Sequence, residues 1–309
     1  MVVVFCALAG PAWATFPGRN GEIVYGWIGV GHYRGAPSPT SIRAVDPRSG
    51  TVRFFRDCPF TTEFPGHPDC GLSAPRYSPD GVRITLLTSG ISSPQAPGLA
   101  TMAADGTDFR EQATAHRYQR LAWSPAGDRM LLERPVPTAD YVQGNAVFLA
   151  SLDGTELSQV TPEWTGAADW SSRGQIAYVR YRETCFPICS NVYLTRLGGI
   201  PRRFTGRGGA SPSWSPDGTK LAFVRNVASS AGAGIYLVRR DGRGLRRLVR
   251  RGDSPTWSPD GKWIAFIRTG DLYVIRVNGR GLRRLVDEAW FEGEGARVRS
   301  IDWRPLPRP

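Results

Sequence analysis

Short apolar runs alternate with turn residues along the whole chain. A typical unit begins at Pro255 and reads Pro-Thr-Trp-Ser-Pro-Asp-Gly-Lys-Trp-Ile-Ala-Phe-Ile, with an apolar run directly after a Ser-Pro-Asp-Gly turn. In such a turn proline presets φ, aspartate caps the backbone and glycine accepts positive φ. Apolar residues at successive positions of the run indicate a strand that is buried on both faces. Because no segment keeps a 3.6-residue period for long, the pattern predicts an all-β protein.

This unit is repeated at a nearly constant interval. Each copy contains one aromatic anchor at the end of its first strand, and successive anchors are 46, 47, 44, 43 and 46 residues apart. A period of this size is typical of a four-stranded propeller blade. We expect the anchors to pack between blades; they are Tyr77, Trp123, Trp170, Trp214, Trp257 and Trp303.

The rest of each unit and the two chain ends complete the prediction. In the last full unit a third strand, Leu272–Ile275, is followed by an Asn-Gly turn and a fourth strand, Leu282–Val286; Asn-Gly is the strongest short hairpin signal. The first repeat opens on a second strand at Ile23, and the last copy ends on a first strand at Trp303. Joining these two strands closes a ring without exposed edges. We therefore predict a six-bladed β-propeller of four-stranded antiparallel blades over residues 15–309.

The Trp-Ser-Pro-Asp-Gly repeat followed by Ile-Ala-Phe resembles the TolB-type, WD-like propeller repeat. The resemblance covers essentially all of residues 15–309, although blade four has Ser171-Ser172-Arg173-Gly174 in place of the common turn. The Gly-His and Trp-Asp signatures of true WD repeats are missing. The resemblance implies an envelope protein whose propeller binds partner proteins. TolB also has an N-terminal α/β domain that this sequence lacks, so the fold and the binding habit are implied, and a role in the Tol system is not.

The first 14 residues resemble an export signal. An apolar run leads to Ala12-Trp13-Ala14, a small-residue cleavage site, although the usual basic start is missing and the initiation codon is expected upstream. The alternative is a buried first strand, but the repeat pattern begins at Thr15. No later apolar run approaches the roughly 20 residues that span a bilayer. We expect a secreted protein of the periplasm or the extracellular cell envelope.

The number of cysteines is also consistent with an exported protein. After the signal, four remain, and an even number in an exported chain indicates two disulfides. Of the three possible pairings, Cys58–Cys70 and Cys185–Cys189 join neighbours in the sequence. A zinc site is disfavoured because the spacings and the histidine support are missing.

The net charge of +12 makes nucleic-acid binding one hypothesis for this chain. Arginine supplies nearly all of the positive charge, and Lys220 and Lys262 are the only lysines, which is a bias that GC-rich codon usage produces. A solvated basic surface is favoured over a polyanion site, and export further disfavours nucleic acid. The basic fourth strands, with Arg246, Arg247, Arg283 and Arg284, lie at the outer rim, where an acidic envelope polymer or a phospholipid surface is the alternative to solvent.

The repeat sorts the connections onto two sides of the ring. The turn face has the short turns between first and second strands and between third and fourth strands; the loop face has the remaining connections, which include every long irregular segment. Insertions on one face of a repeat protein usually mark the binding face. Each aromatic there either contacts a partner or packs beneath its own loop. The candidate contacts are His67, His116, Tyr118, Arg120, Trp164, Trp290, Phe291 and Glu292.

Residues just before the anchors are expected to line the central channel. A divalent cation at Asp169 and Asp302 is the alternative to their pairing with Arg76, since hard ions take oxygen ligands. Pairing with Arg76 is favoured, and we predict no cofactor or metal. The predicted lining includes Arg76, Ala122, Asp169, Ser213, Thr256 and Asp302.

Catalytic constellations are missing from the sequence. There is no Gly-x-Ser-x-Gly elbow, no paired metalloprotease histidines and no Gly-rich phosphate loop, so we predict no catalytic residue. The favoured hypothesis is a monomeric scaffold that binds a protein or a cell-envelope polymer through the loop face. The alternative is a propeller hydrolase or lyase with a metal in the channel.

Overall fold

Residues 17–28, 40–58, 71–89, 97–137, 144–181, 190–225, 234–287 and 297–307 are described by a computed structural model. These residues form 24 strands in six sheets, and each sheet has four antiparallel strands. The sheets are the six blades of a propeller, so the predicted fold class is confirmed.

Each blade has its first strand at the channel and its fourth strand at the outer rim. In blades 1 to 3 the strands, from the channel outward, are β24 (Arg297–Leu306), β1 (Arg19–Ile28), β2 (Thr40–Val45) and β3 (Val52–Cys58); β4 (Gly71–Tyr77), β5 (Arg83–Ser89), β6 (Pro97–Ala103) and β7 (Arg110–Ala113); β8 (Arg120–Trp123), β9 (Arg129–Val136), β10 (Gly144–Ser151) and β11 (Glu156–Gln159). In blades 4 to 6 they are β12 (Thr165–Trp170), β13 (Ile176–Tyr181), β14 (Ser190–Thr195) and β15 (Arg202–Arg203); β16 (Ala210–Trp214), β17 (Lys220–Arg225), β18 (Gly234–Arg239) and β19 (Arg246–Arg250); β20 (Asp253–Trp257), β21 (Trp263–Arg268), β22 (Asp271–Arg276) and β23 (Arg283–Val286).

The ring is closed by the last strand of the chain. β24 pairs with β1 in antiparallel register, with Ile23 opposite Trp303. The indole Nε1 of Trp303 donates a hydrogen bond to the carbonyl of Gly21 (3.0 Å). The predicted closure by the C-terminal strand is therefore confirmed.

The Ser-Pro-Asp-Gly turns show the roles predicted for aspartate and glycine, and in blade 6 Asp260 Oδ1 accepts the backbone N–H of Lys262 (2.9 Å). In blade 6 the hydroxyl of Ser258 donates to Asp260 Oδ1 (2.6 Å), and the backbone N–H of Gly261 donates to the Ser258 carbonyl (2.8 Å). Gly261 has φ +68°, a conformation that glycine adopts without steric cost. Blade four keeps the backbone bond, from Gly174 to the Ser171 carbonyl (2.9 Å), so its variant sequence leaves the turn intact.

β24 contains a β-bulge, and four other inner strands contain one at an equivalent position that the sequence does not predict. The pairing register shifts once in each of these four strands, in β4, β12, β16 and β20. A bulge bends a strand and redirects the side chains that follow it. In each case the residue two positions further on lies on the channel wall. The bulge residues, all with φ between 45° and 50°, are Ala74, Ala167, Ser211 and Ser254.

The core lies between the blades. Trp214 of blade 5 packs with Val192 and Leu194 of blade 4, and Trp303 of blade 1 packs with Leu272 and Val274 of blade 6. Six clusters of this kind, each spanning two adjacent blades, run around the ring. The anchors therefore hold neighbouring blades together.

Candidate functional site

The central channel contains a cavity of about 260 Å³. Its wall is built from the inner strands of all six blades, and the bulges set which side chains face it. The wall includes each of the residues predicted to line it: Arg76, Ala122, Asp169, Ser213, Thr256 and Asp302.

The two channel carboxylates bridge neighbouring blades. Asp302 Oδ2 of blade 1 accepts a hydrogen bond from the backbone N–H of Tyr77 in blade 2 (2.8 Å). Asp169 Oδ2 of blade 4 accepts one from the backbone N–H of Trp214 in blade 5 (2.6 Å). Each aspartate thus accepts the backbone N–H of the anchor residue in the following blade. The sequence alone did not indicate this structural role.

Arg76 also bridges blades, but through a carbonyl group. Its guanidinium donates to the Ile301 carbonyl (2.7 Å), which also accepts the Thr256 hydroxyl at 3.3 Å. The expected ion pair of Arg76 with Asp169 or Asp302 is not formed among the described residues. Its charge acts on both carboxylates from a greater distance.

Burial raises the pKa of both carboxyl groups. Desolvation in the channel wall raises the pKa of Asp169 to about 6, against the lowering effects of the Trp214 N–H and of Arg76. Desolvation likewise raises the pKa of Asp302 to about 6, against the attraction of Arg76. Both groups therefore bind protons in the folded protein at pH values where the unfolded chain has released them.

This difference predicts a pH dependence of stability. Between about pH 4 and pH 6 the folded state holds more protons at these two sites than the unfolded state, so their ionisation lowers the free energy of unfolding as the pH rises. The side-chain amide introduced by D169N cannot ionise, but its oxygen can still accept the Trp214 N–H. We expect the free energy of unfolding of D169N to rise relative to wild type across this window, as measured by urea denaturation at a series of pH values.

Asp105 supplies a control of opposite sign. The hydroxyl of Thr107 donates to its carboxylate and lowers the pKa of Asp105, so its contribution is lost as the pH falls below about 4. Between pH 4 and pH 6 the free energy of unfolding of D105N should therefore run parallel to that of wild type, and the difference between the two should shrink as the pH falls below about 4. Parallel curves for wild type and D169N over that window would show that the Asp169 carboxyl is not desolvated in the channel wall.

A polar cluster lies at the end of the channel away from the turns. We call it the mouth cluster. Glu133 is only 5% exposed; its Oε2 accepts the backbone N–H of Ala167 (2.7 Å) and lies 3.8 Å from Arg120 Nε. Asn145 Nδ2 donates both to Glu133 Oε1 (3.0 Å) and to Gln119 Oε1 (2.9 Å). The cluster consists of Gln119, Arg120, Glu133, Asn145 and Tyr181.

Tyr181 completes this cluster as an exposed aromatic. Burial, and then the charge of Glu133, raises the pKa of its phenol, while 44% of the residue is exposed. Gly166 lies against the other side of Glu133. A Cβ added to Gly166 would lie 2.4 Å from Glu133 Oε1, which is closer than non-bonded atoms approach each other. The buried carboxylate is therefore held on several sides, while the Arg120 and Tyr181 side chains reach solvent.

Sequence reasoning found only Arg120 of this cluster. One signal for Glu133 was present, since it stands where the second strands of other blades have Leu87, Val179 and Val224. An acidic residue at a position that is otherwise apolar indicates a specific polar contact.

Three other residues predicted to contact a partner, Tyr118, His116 and Trp164, lie outside the mouth cluster. Tyr118 is buried in the core between blades 2 and 3, and its hydroxyl lies within hydrogen-bond distance of the Gly154 carbonyl (3.3 Å) and of Glu156 (3.2 Å). His116 is exposed, and Trp164 is half-buried with φ +61°.

Several predictions fall outside the described residues. They concern the signal segment 1–14, the contacts His67, Trp290, Phe291 and Glu292, and the cysteines Cys70, Cys185 and Cys189. The backbone of Cys58 is the last position of β3. Both disulfides remain predictions.

Among the described residues, no group of three or more His, Cys, Asp or Glu side chains is arranged to hold a metal ion. Likewise, the described ranges contain no helix that is long and apolar enough to cross a membrane.

The fold and the channel define a six-bladed β-propeller closed by its C-terminal strand, and comparison with solved structures identifies its type. TolB from Acinetobacter baumannii matches with a TM-score of 0.71 and 17% identity, over 94% of this chain and 68% of that chain. A structure assigned to TolB from Agrobacterium tumefaciens matches with a TM-score of 0.61 and 17% identity, over 93% and 100% of the two chains. The resemblance to the TolB-type propeller is therefore confirmed as a likeness of fold.

A chain of a nidogen/laminin complex is also similar, with a TM-score of 0.65 and 9% identity over 93% of this chain and 100% of that chain. No protein-family model and no curated protein sequence matches the chain.

Proposed function

We propose that this chain is an exported scaffold that binds a partner protein at the mouth of its channel. The observation that carries the proposal is the mouth cluster, in which an arginine and a tyrosine reach solvent from a site held by a buried glutamate. The apolar segment 1–14 and the TolB-type fold support the exported, protein-binding part of the proposal.

The residue types of the mouth cluster suit protein recognition. Tyrosine and arginine dominate binding hot spots, because each combines a large contact area with directional hydrogen bonding. Hydrogen bonds from Ala167 and Asn145 fix the Glu133 carboxylate, and its charge attracts the Arg120 guanidinium at 3.8 Å, which favours one position of that side chain before a partner arrives.

The channel itself contributes small side chains next to this cluster. Ser73, Ser211 and Ser254 line the cavity from three different blades. Short hydroxyl side chains leave room for a partner side chain or a short segment to enter the channel. The carboxylates deeper in the wall offer hydrogen-bond acceptors to such a segment.

A site-specific cross-linking experiment tests the proposal. A photoreactive phenylalanine is placed at position 181, and the same residue is placed at position 54 as the control. Phe54 is also an exposed aromatic, but it lies on β3 at the outer rim of blade 1. We expect a defined protein adduct in the envelope fraction from position 181 and none from position 54.

Substitution at Arg120 then tests the role of the site. As a hot spot, Arg120→Ala should weaken binding by about 2 kcal/mol, or roughly 30-fold, and should abolish the adduct. Arg129→Ala, an exposed arginine in the blade 3 turn, should leave it unchanged. Equal adducts from positions 181 and 54, or an adduct at position 181 that survives Arg120→Ala, would contradict the proposal.

A further inference from the structure

The positive charge of the chain is concentrated in one sector of the ring. Residues 191–287, which include blades 5 and 6 and the outer half of blade 4, contain 19 Lys and Arg and six Asp and Glu. Their net charge of +13 exceeds the +12 of the whole chain, so the remainder is close to neutral. Codon bias alone raises the arginine content everywhere and does not explain this asymmetry.

Within that sector the arginines gather at three equivalent turns. Each turn joins the third strand of a blade to the fourth, so all three lie on the turn face. We call residues 196–204, 239–248 and 276–285 the cationic turns. Together they contain 12 arginines and one acidic residue, Asp241. The equivalent turn of blade 2 has Asp105, Asp108 and Glu111.

The tips of the cationic turns are open to solvent. Arg240, Arg243 and Arg280 are exposed, and within the described part of the chain they form no ion pair. The Asp241 carboxylate caps its own turn by accepting the backbone N–H of Arg243 (2.9 Å). The charge of the tips is therefore available to an external partner.

The three cationic turns form one continuous surface. Phe204, which follows β15 of blade 4, lies against Gly242 in the turn of blade 5. Arg246 of blade 5 donates through Nη2 to the carbonyl of Val277 in the turn of blade 6. Each outer strand therefore reaches the turn of the next blade, and no neutral blade separates the three.

Exposed aliphatic side chains stand among these arginines. Ile200 is 94% exposed, Leu245 is 46% exposed and Leu282 is 45% exposed. Leu245 and Leu282 occupy the same position in successive blades, directly before a pair of arginines. The surface thus has protruding apolar tips surrounded by cationic groups.

We propose that the cationic turns form a membrane-docking surface for anionic phospholipid. Arginine side chains attract the headgroups, each contributing roughly fivefold in affinity near an anionic surface. The aliphatic tips enter the boundary between headgroups and acyl chains, where burial of apolar area adds to the electrostatic attraction. The exposed Ile200, Leu245 and Leu282 side chains favour a membrane over a soluble acidic polymer, because a hydrated polyanion has no apolar region in which they could be buried.

Sedimentation of the chain of residues 1–309 with lipid vesicles tests this proposal. The protein should bind vesicles of mixed phosphatidylcholine and phosphatidylglycerol, should bind pure phosphatidylcholine far less, and should lose affinity as salt is added. The triple variant Arg240→Gln, Arg243→Gln and Arg280→Gln should bind the anionic vesicles roughly 100-fold more weakly. The matched control, with the same change of charge in blades 2 and 3, is Arg110→Gln, Arg117→Gln and Arg129→Gln.

The leucines separate the membrane from other polyanions. Leu245→Ser with Leu282→Ser should weaken vesicle binding roughly tenfold, while Leu152→Ser with Leu157→Ser, an equally exposed pair in blade 3, should have little effect. All variants contain the same residues 1–14, so differences between them cannot arise from that segment, and thermal unfolding checks that each is folded.

Equal binding by the two arginine triples would overturn the proposal, as would equal binding to neutral and anionic vesicles. Vesicle binding that is insensitive to the leucines, together with arginine-dependent binding of inorganic polyphosphate, would identify a polyanion site instead. None of these outcomes involves the mouth cluster, so the partner-binding proposal is tested separately.

Discussion

Replacing Trp214 with alanine is expected to lower the free energy of unfolding by about 3–5 kcal/mol. Trp214 is completely buried and packs with Val192 and Leu194 of the preceding blade and Phe223 of its own. Its removal leaves a cavity between blades 4 and 5 that the flanking sheets cannot close, because each is also packed against its other neighbour. Urea denaturation at pH 7 measures the change.

A comparison of two phenylalanine variants refines this prediction. The indole N–H of Trp257 donates to the Ser213 carbonyl (3.1 Å), whereas that of Trp214 finds no hydrogen-bond partner among the described residues. W257F should therefore cost about 1 kcal/mol more than W214F, since it leaves the carbonyl without its donor. Should W214A prove nearly neutral, the anchors could not be what holds the blades together.

The second large effect is expected at a turn glycine. Gly81 has φ +70°, and a Cβ built on it would lie 1.9 Å from the carbonyl oxygen of Pro305 in the closing strand. The guanidinium of Arg304 also donates to the Gly81 carbonyl (2.9 Å), which ties the turn to that strand. We expect Gly81→Ala to cost about 1–2 kcal/mol for the backbone conformation and about 1–3 kcal/mol more for displacing the end of β24.

Gly50 provides the matched control. Its φ of +76° is close to that of Gly81, but nothing lies within 4 Å of its added Cβ. Gly50→Ala should therefore show the conformational cost alone. Thermal unfolding of the two variants isolates the contact with the closing strand, and equal losses would mean that this contact does not constrain the turn.

The fold was predictable because its information is local and repeated. The Ser-Pro-Asp-Gly turns specify their own hydrogen bonds, and a constant interval between anchors specifies the number of strands per blade. Ala74 and Ser211 could not have been predicted at positive φ, since nothing in their side chains favours it. The bulges place Arg76 and Ser213 on the channel wall, and a single sequence does not specify their positions.

The site was predictable only in part, because its contacts join residues that are far apart in the sequence. The channel position of Asp302 follows from its place before an anchor, but its bond to the Tyr77 backbone joins residues 225 positions apart. The mouth cluster combines side chains from blades 3 and 4. The sequence does not show that Glu133 of blade 3 accepts the backbone N–H of Ala167 in blade 4. Arg120 was found because its position relative to the repeat places it on the loop face.

The closing strand has a practical consequence for measurement. Arg19 lies opposite Leu306 in the sheet, and the backbone N–H of Gly18 donates to the carbonyl of Pro259 in a blade 6 turn (3.2 Å), so the described chain enters and leaves the ring among the turns. A protein immobilised on a sensor through either terminus would thus present the mouth cluster outward to a flowing analyte. The same tether would crowd the cationic turns, and vesicles should instead be captured on the chip with the protein left free in solution.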